Sequence, residues 1–178
     1  MKNSKKTQII NLFGASGSGK STTAMGLTYF LRLGGHKVEY VNEYAKDLVY
    51  EESTHKLKHQ LYVFAKQLKK QDVLLNKDLD YIVTDSPILL SYFYGEKYNT
   101  NLVGFKELVM NSFTAQDNIN FFIKRNVPFD PSLRLQDEAE SDNDSKDLLN
   151  MLHTLNVDVT TVDSLVAVAA ILGQVSFK

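Results

Sequence analysis

The sequence predicts an α/β fold, a five-stranded parallel sheet with helices on both faces. Three observations carry this reading. Short apolar segments alternate with helical ones along the chain. A glycine-rich turn, Gly14 to Gly19, separates the first apolar segment from the first helical one. Gly14, Glu43, Asp85 and Arg125 each fall just after an apolar segment. Strands joined by crossover helices lie parallel and are covered on both faces. Ligands of such sheets sit beyond the carboxyl ends of the strands.

Gln8 to Phe13 reads as the first strand, ended by Gly14 to Gly19. Lys20 to Leu33 follows as a helix, stopped by Gly34-Gly35. Lys37 to Asn42 alternates as a second strand and ends at Glu43, and Glu43 to Tyr50 suits a short helix. Leu57, Leu61, Phe64 and Leu68 recur at helical spacing, which predicts an amphipathic helix over residues 55 to 75. Asp80 to Thr84 is a third strand ending at Asp85, and Ser86 to Tyr98 reads as aromatic and partly irregular. Residues 102 to 115 read as a helix and Ile119 to Ile123 as a fourth strand. Residues 125 to 144 hold Pro128, Pro131 and five acids between Asp137 and Asp144, and read as a loop or lid. Asp147 to Leu155 is a helix, Val157 to Val162 a fifth strand and Leu165 to Leu172 a last helix.

Length and composition bound the rest. At 178 residues, with no internal repeat or linker, the chain is expected to form a single domain over residues 1 to 178. A net charge of -1 gives no global field toward nucleic acid or an anionic membrane, though a local basic groove stays open. With no cysteine, disulfides, thiolate nucleophiles and cysteine-held metal clusters are excluded. Met1 to Lys6 is basic, but the apolar stretch behind it is short and holds Asn11, so no signal peptide is read. No apolar run is long enough to span a bilayer. The expectation is a cytoplasmic protein without a membrane partner.

Gly14-Ala15-Ser16-Gly17-Ser18-Gly19-Lys20-Ser21 matches G-x-x-x-x-G-K-[ST] at every fixed position. Glycines let backbone amides face phosphate oxygens unobstructed, and the following helix adds its positive end. Lys20 would reach the β- and γ-phosphates of ATP, Ser21 would ligate Mg2+, and Thr22 extends the nucleotide-binding set. The fold class becomes that of the P-loop NTPases. Asp85 suits a Walker-B-type magnesium ligand, or a turn or helix-capping aspartate before Ser86-Pro87. Glu43 suits an acid that accepts an attacking hydroxyl's proton or orients the substrate, or an acid that opens a helix.

The chain holds only three arginines, and two of them, Arg125 and Arg134, bracket a proline-containing segment. A guanidinium on a closing lid can stabilise the charge of a transferring phosphoryl group. The other reading makes both surface residues, and Arg125 could instead position substrate. Tyr92, Phe93, Tyr94 and Tyr98 suit either base stacking or core. His55 and His59 at helical spacing suit a metal pair, though with no third ligand evident, or a solvated face. Lys58, Lys66, Lys69 and Lys70 suit contact with a phosphate chain or a solvated face. The acids from Asp137 to Asp144 read as a mobile, solvated part of the lid.

The P-loop, Asn42-Glu43-Tyr44-Ala45-Lys46, Asp85 and the segment Arg125…Pro128-Phe129…Arg134 together resemble the ribosylnicotinamide-kinase-like branch of P-loop kinases. That branch includes the kinase domain of a bacterial NAD-biosynthesis regulator and many small phage ATPase/kinase proteins. The resemblance implies a P-loop fold of nucleoside- and nucleotide-kinase-like form, transfer of the ATP γ-phosphate to a hydroxyl, substrate-side work for Glu43 and lid work for Arg134. Two positions depart from the branch: Lys46 stands where members often have arginine, and the segment from Asp137 is unusually acidic. The adenylyltransferase and DNA-binding domains of the bacterial regulator have no counterpart in this sequence. The expected function is an ATP- and Mg2+-dependent kinase of a nucleoside, nucleotide or related hydroxyl. A kinase of a modified base or 5' end in DNA, and a nucleotide-dependent switch or assembly protein, stay open as alternatives.

Overall fold

The computed structural model describes residues 6–131 and 136–175. Its centre is a sheet of five parallel strands: β1 (Gln8–Phe13), β2 (Val38–Val41), β3 (Tyr81–Thr84), β4 (Asp117–Lys124) and β5 (Thr160–Asp163). The strand order is β2-β3-β1-β4-β5. The helices are α1 (Lys20–Leu33), α2 (Tyr44–Tyr50), α3 (Gln60–Asp72), α4 (Leu89–Lys97), α5 (Phe105–Thr114), α6 (Glu138–Thr154) and α7 (Ala167–Val175).

Both faces of the sheet are covered, as the alternation predicts. Successive side chains of a strand point to opposite faces. Ile10 and Leu12 of β1 pack with Ala24, Leu27 and Leu31 of α1 and with Ile171 of α7. Phe13 packs the other way, among Phe64, Phe93, Phe105, Phe113 and Leu148 of α3 to α6. Asn11 interrupts the apolar run of β1 and is buried. Its amide donates to Asn118 Oδ1 at 2.8 Å and Asn120 Oδ1 at 3.0 Å on neighbouring β4.

Four expectations change. The helix predicted over residues 55 to 75 is broken: a 3-10 turn, Thr54–Lys58, precedes α3, because His59 (φ -93, ψ 73) is not helical. His55 and His59 therefore do not share one α-helical face. The stretch Ser86 to Tyr98 holds a regular helix, α4. Its period is unreadable because Leu89, Leu90, Ser91, Phe93 and Gly95 are all buried, and a helix buried around most of its girth shows no stripe. Glu43 caps α2 rather than starting it.

The lid expected over residues 125 to 144 ends before Glu138, since the acidic run is the beginning of α6. Asp137 caps this helix, accepting from the Glu140 amide at 2.8 Å, and Glu138 and Glu140 complement the positive end of the helix dipole. Nor is the run solvated throughout, for Ser141 and Asp144 are buried. Asp144 receives Lys97 Nζ at 2.8 Å on both oxygens, and Glu140 receives it at 2.7 Å. Arg134, with Ser132, Leu133 and Leu135, lies outside the described residues.

Burial raises the Asp144 carboxyl above its ordinary value, against the opposing pull of Lys97. Burial works against the Lys97 ammonium, but its bonds to Asp144 and Glu140 outweigh that and raise it above 10.5. Lys97→Met should therefore cost roughly 3 kcal/mol at pH 7, because it strands a buried carboxylate. A raised lysine contributes stability that is present below its unfolded value and lost as pH rises through the folded one. The cost should also shrink toward pH 4, where the stranded acid takes a proton. Urea unfolding of both proteins between pH 4 and pH 11 checks this, and a pH-independent difference would exclude the ion pair as its source.

Candidate functional site

The loop after β1 takes backbone angles that favour glycine. Gly14, Gly17 and Gly19 have φ of 142°, 79° and 92°, the region where a Cβ is disfavoured. At Gly14 a Cβ would also lie 2.6 Å from Ser18 Oγ and 2.8 Å from the Ile123 carbonyl oxygen of β4. The amide of Thr23 bonds to Gly19 O at 2.9 Å and turns the loop into α1. Lys20 folds back across the loop, donating to the carbonyl oxygens of Gly14 and Ala15 at 2.8 Å each. From the far side, Ser141 of α6 donates to Ser16 O at 2.6 Å.

Asp85 follows β3 directly and is 1 % exposed. Its Oδ2 accepts from Ser21 Oγ at 2.5 Å and from the Tyr40 hydroxyl of β2 at 2.8 Å. Ser21 Oγ also accepts from Lys46 Nζ of α2 at 2.8 Å. Burial, then the adjacent Asp85 carboxylate, holds the Tyr40 phenol far above its ordinary range, so it remains a donor. The capping reading of Asp85 does not hold, since α4 starts only at Leu89 and Ile88 is its cap.

These groups suit a hard divalent cation. Asp85 Oδ1 is buried and has no hydrogen-bond partner among the described residues. With Ser21 Oγ beside Oδ2, the donor set is all oxygen, the kind that takes Mg2+ through one or two protein ligands, with phosphates supplying others. Among the described residues no three His, Cys, Asp or Glu side chains cluster as a self-sufficient metal site.

A cavity of about 310 Å³ opens over this group. Lys20, Ser21, Thr22, Glu43 and Lys46 line one part, and Leu57, Gln60, Leu90, Tyr94 and Tyr98 line the other. Tyr94 and Tyr98 stack at 17° with centroids 6.1 Å apart. Burial, with smaller contributions from Glu43 and Asp144, keeps the Tyr94 phenol well above its ordinary range. The aromatic cluster thus divides: Phe93 belongs to the core, while Tyr94 and Tyr98 form cavity wall.

Of the sequence candidates, Ser16, Gly17, Gly19, Lys20, Ser21, Thr22 and Glu43 line the cavity, and Asp85 adjoins it through Ser21. Arg125 does not. It bonds to Glu138 Oε1 at 2.8 Å and to Asp142, and it covers the Phe129 ring at 5.1 Å. The two carboxylates of α6 hold it as a clamp on that helix, away from the cavity lining. Tyr40, Lys46, Gln60 and Ser141 were not singled out as site residues. Only Lys46 carried a signal, its place one turn after Glu43.

A glycine loop between the central strand and first helix of a parallel sheet, with serine and aspartate paired beside it, defines a P-loop nucleotide-binding protein. Residues 9–166 match the family described as AAA domain, and the chain belongs to that family. No curated protein matches it. Among solved structures, the crystal structure of NadR protein in complex with NR shares the fold at a TM-score of 0.70 and 14% identity. The alignment covers 97% of this chain and 50% of that one, so the chain spans about half of that protein's length. No helix among the described residues is long and apolar enough to cross a membrane.

Gly14→Ala should cost at least about 1–3 kcal/mol, through positive φ together with contact against the Ile123 carbonyl. Gly35→Ala is the control, since Gly35 shares the positive φ but has nothing within 4 Å. Chemical unfolding of both variants checks this, and equal losses would mean that the close approach to β4 adds nothing.

Proposed function

We propose that the protein is an ATP- and Mg2+-dependent kinase that transfers the γ-phosphate to a hydroxyl of a nucleoside, nucleotide or related small molecule. The observation that carries the reading is one cavity lined by the phosphate loop, by Ser21 with Asp85 bonded behind it, and by a carboxylate, Glu43, that phosphate binding alone does not need. The cavity extends past the phosphate loop to Leu57, Gln60, Leu90, Tyr94 and Tyr98, which leaves a wall for an acceptor beside the nucleotide. NadR, of the same fold, was solved with NR.

The loop amides from Gly14 to Ser21, with Thr22, would hold the nucleotide phosphates, and Lys20 would exchange its two carbonyl partners for phosphate oxygens. Ser21 and Asp85 would hold Mg2+, which supplies charge neutralisation at the phosphates. Glu43 takes the proton of the acceptor hydroxyl as the acceptor oxygen bonds to the γ-phosphorus, while the bond from that phosphorus to the bridging oxygen breaks and ADP leaves. Arg134 would close over the transferring group from the segment before α6. Arg125 contributes indirectly, by anchoring α6. Catalysis of this kind is mainly positioning and charge stabilisation.

A transfer screen with labelled ATP over nucleosides, nucleotides and modified DNA tests the reading. Lys20→Ala should abolish transfer. Glu43→Gln should lower it about 10²- to 10⁴-fold, the scale of a general base, while sparing ATP affinity. Arg134→Ala should lower kcat and kcat/KM together, the mark of a contact made in the transition state. If ATP is hydrolysed but no acceptor in the screen is labelled, and Glu43→Gln hydrolyses ATP at the wild-type rate, the kinase reading fails.

A further inference from the structure

Lys46 lies on α2, one helical turn after Glu43, and lines the same cavity. Its Nζ donates to Ser21 Oγ at 2.8 Å, and Ser21 donates in turn to Asp85 Oδ2 at 2.5 Å. A serine hydroxyl has one proton and two lone pairs. The proton serves Asp85 and a lone pair serves Lys46. The oxygen through which Ser21 would ligate a divalent cation is therefore already serving a cation of the protein itself.

The surroundings explain why. Asp85 is buried with one oxygen unpartnered, and the Ser21–Asp85 pair needs positive charge near it. Lysine suits a temporary occupant, because its charge is compact and its stem flexible. A second cation on the same hydroxyl would meet Lys46 at contact distance, inside a cavity where screening is weak. Both cannot bind Ser21 at full strength.

Resting on the nucleotide-site reading above, we propose that Lys46 and the divalent cation exclude one another at Ser21, and that the displaced Lys46 becomes a second phosphate-directed cation of the cavity, beside Lys20. Its position one turn from Glu43 brings it to the transferring group from the acceptor side. The exchange sets an order of binding. A bare divalent cation would take the place of Lys46 on Ser21 and bring it no new acceptor, whereas a cation arriving with a nucleotide brings phosphate oxygens that replace Ser21. The metal site is thus kept shut until a polyphosphate is present.

The test uses Mn2+ as the probe, titrated by electron paramagnetic resonance into the nucleotide-free full chain. Lys46→Met should bind Mn2+ about tenfold or more tightly than wild type, as expected when a like charge is removed from contact distance. Lys46→Gln, which keeps a donor for Ser21 but no charge, should do the same, and Lys46→Arg should stay near wild type. In a second titration, with ATP in excess chelator, Lys46→Met should bind about tenfold more weakly, the loss of a charge-assisted contact. Unchanged or weaker Mn2+ affinity in both the Met and Gln variants would overturn the proposal. Neither titration contains an acceptor, so the two readings fail separately. Tighter Mn2+ binding without phosphoryl transfer removes only the kinase, and transfer without any Mn2+ effect removes only the exchange at Ser21.

Discussion

A carboxylate buried as deeply as Asp85 loses several kcal/mol of hydration, which hydrogen bonds must offset. Here the offset comes from two different elements, the first turn of α1 through Ser21 and the strand β2 through Tyr40. One side chain after β3 thereby fixes α1 and β2 relative to each other. The geometry of the polar rim follows, because α1 carries Lys20 and β2 leads to Glu43 and Lys46. The apolar core places the elements to within their packing, and this polar contact decides where the charged groups stand.

The acidic start of α6 has a related role. Its carboxylates hold Lys97 of α4 and Arg125 after β4, while Ser141 reaches the loop carbonyl of Ser16. Three separate parts of the chain are thus tied to one helix end. A helix N-terminus tolerates acids well, which lets this segment concentrate them without losing helicity. The same charges written as a sequence run look like a solvated tail, and only the positions of their distant partners reveal otherwise.

Much of the fold was legible in the sequence because its signals are local. The bounds of β1 and α1 follow from an apolar run, a glycine loop and a glycine stop. Lys20 and Ser21 were legible from the spacing of the glycine-loop motif, and Glu43 and Asp85 from their places at the ends of parallel strands, which share a rim. The remainder depended on distant contacts. Tyr40 alternates within β2 like any strand residue, and its partner is Asp85, far along the chain. Gln60 and Ser141 have ordinary helix positions and matter only through what they face. α4 was obscured by burial, and the place of Arg125 was unreadable because the scarcity of arginine is visible in the sequence and its two acidic partners are not.

Asn11 shows how strand alignment reaches the rim. In a parallel sheet a slip of one residue turns every side chain over, but a slip of two leaves apolar faces apolar, so packing alone discriminates it poorly. Asn11 does discriminate it. Its amide is bonded to Asn118 and Asn120 together, and moving β4 by two residues toward Phe122 would put Asn120 where Asn118 stands and a phenyl ring where Asn120 stands, losing one of the two bonds at about 0.5–1.5 kcal/mol. That same alignment decides which carbonyl of β4 faces Gly14. The asparagine trio thus acts as a vernier, setting the height of the phosphate loop from within the sheet, several residues below any atom that a nucleotide would touch.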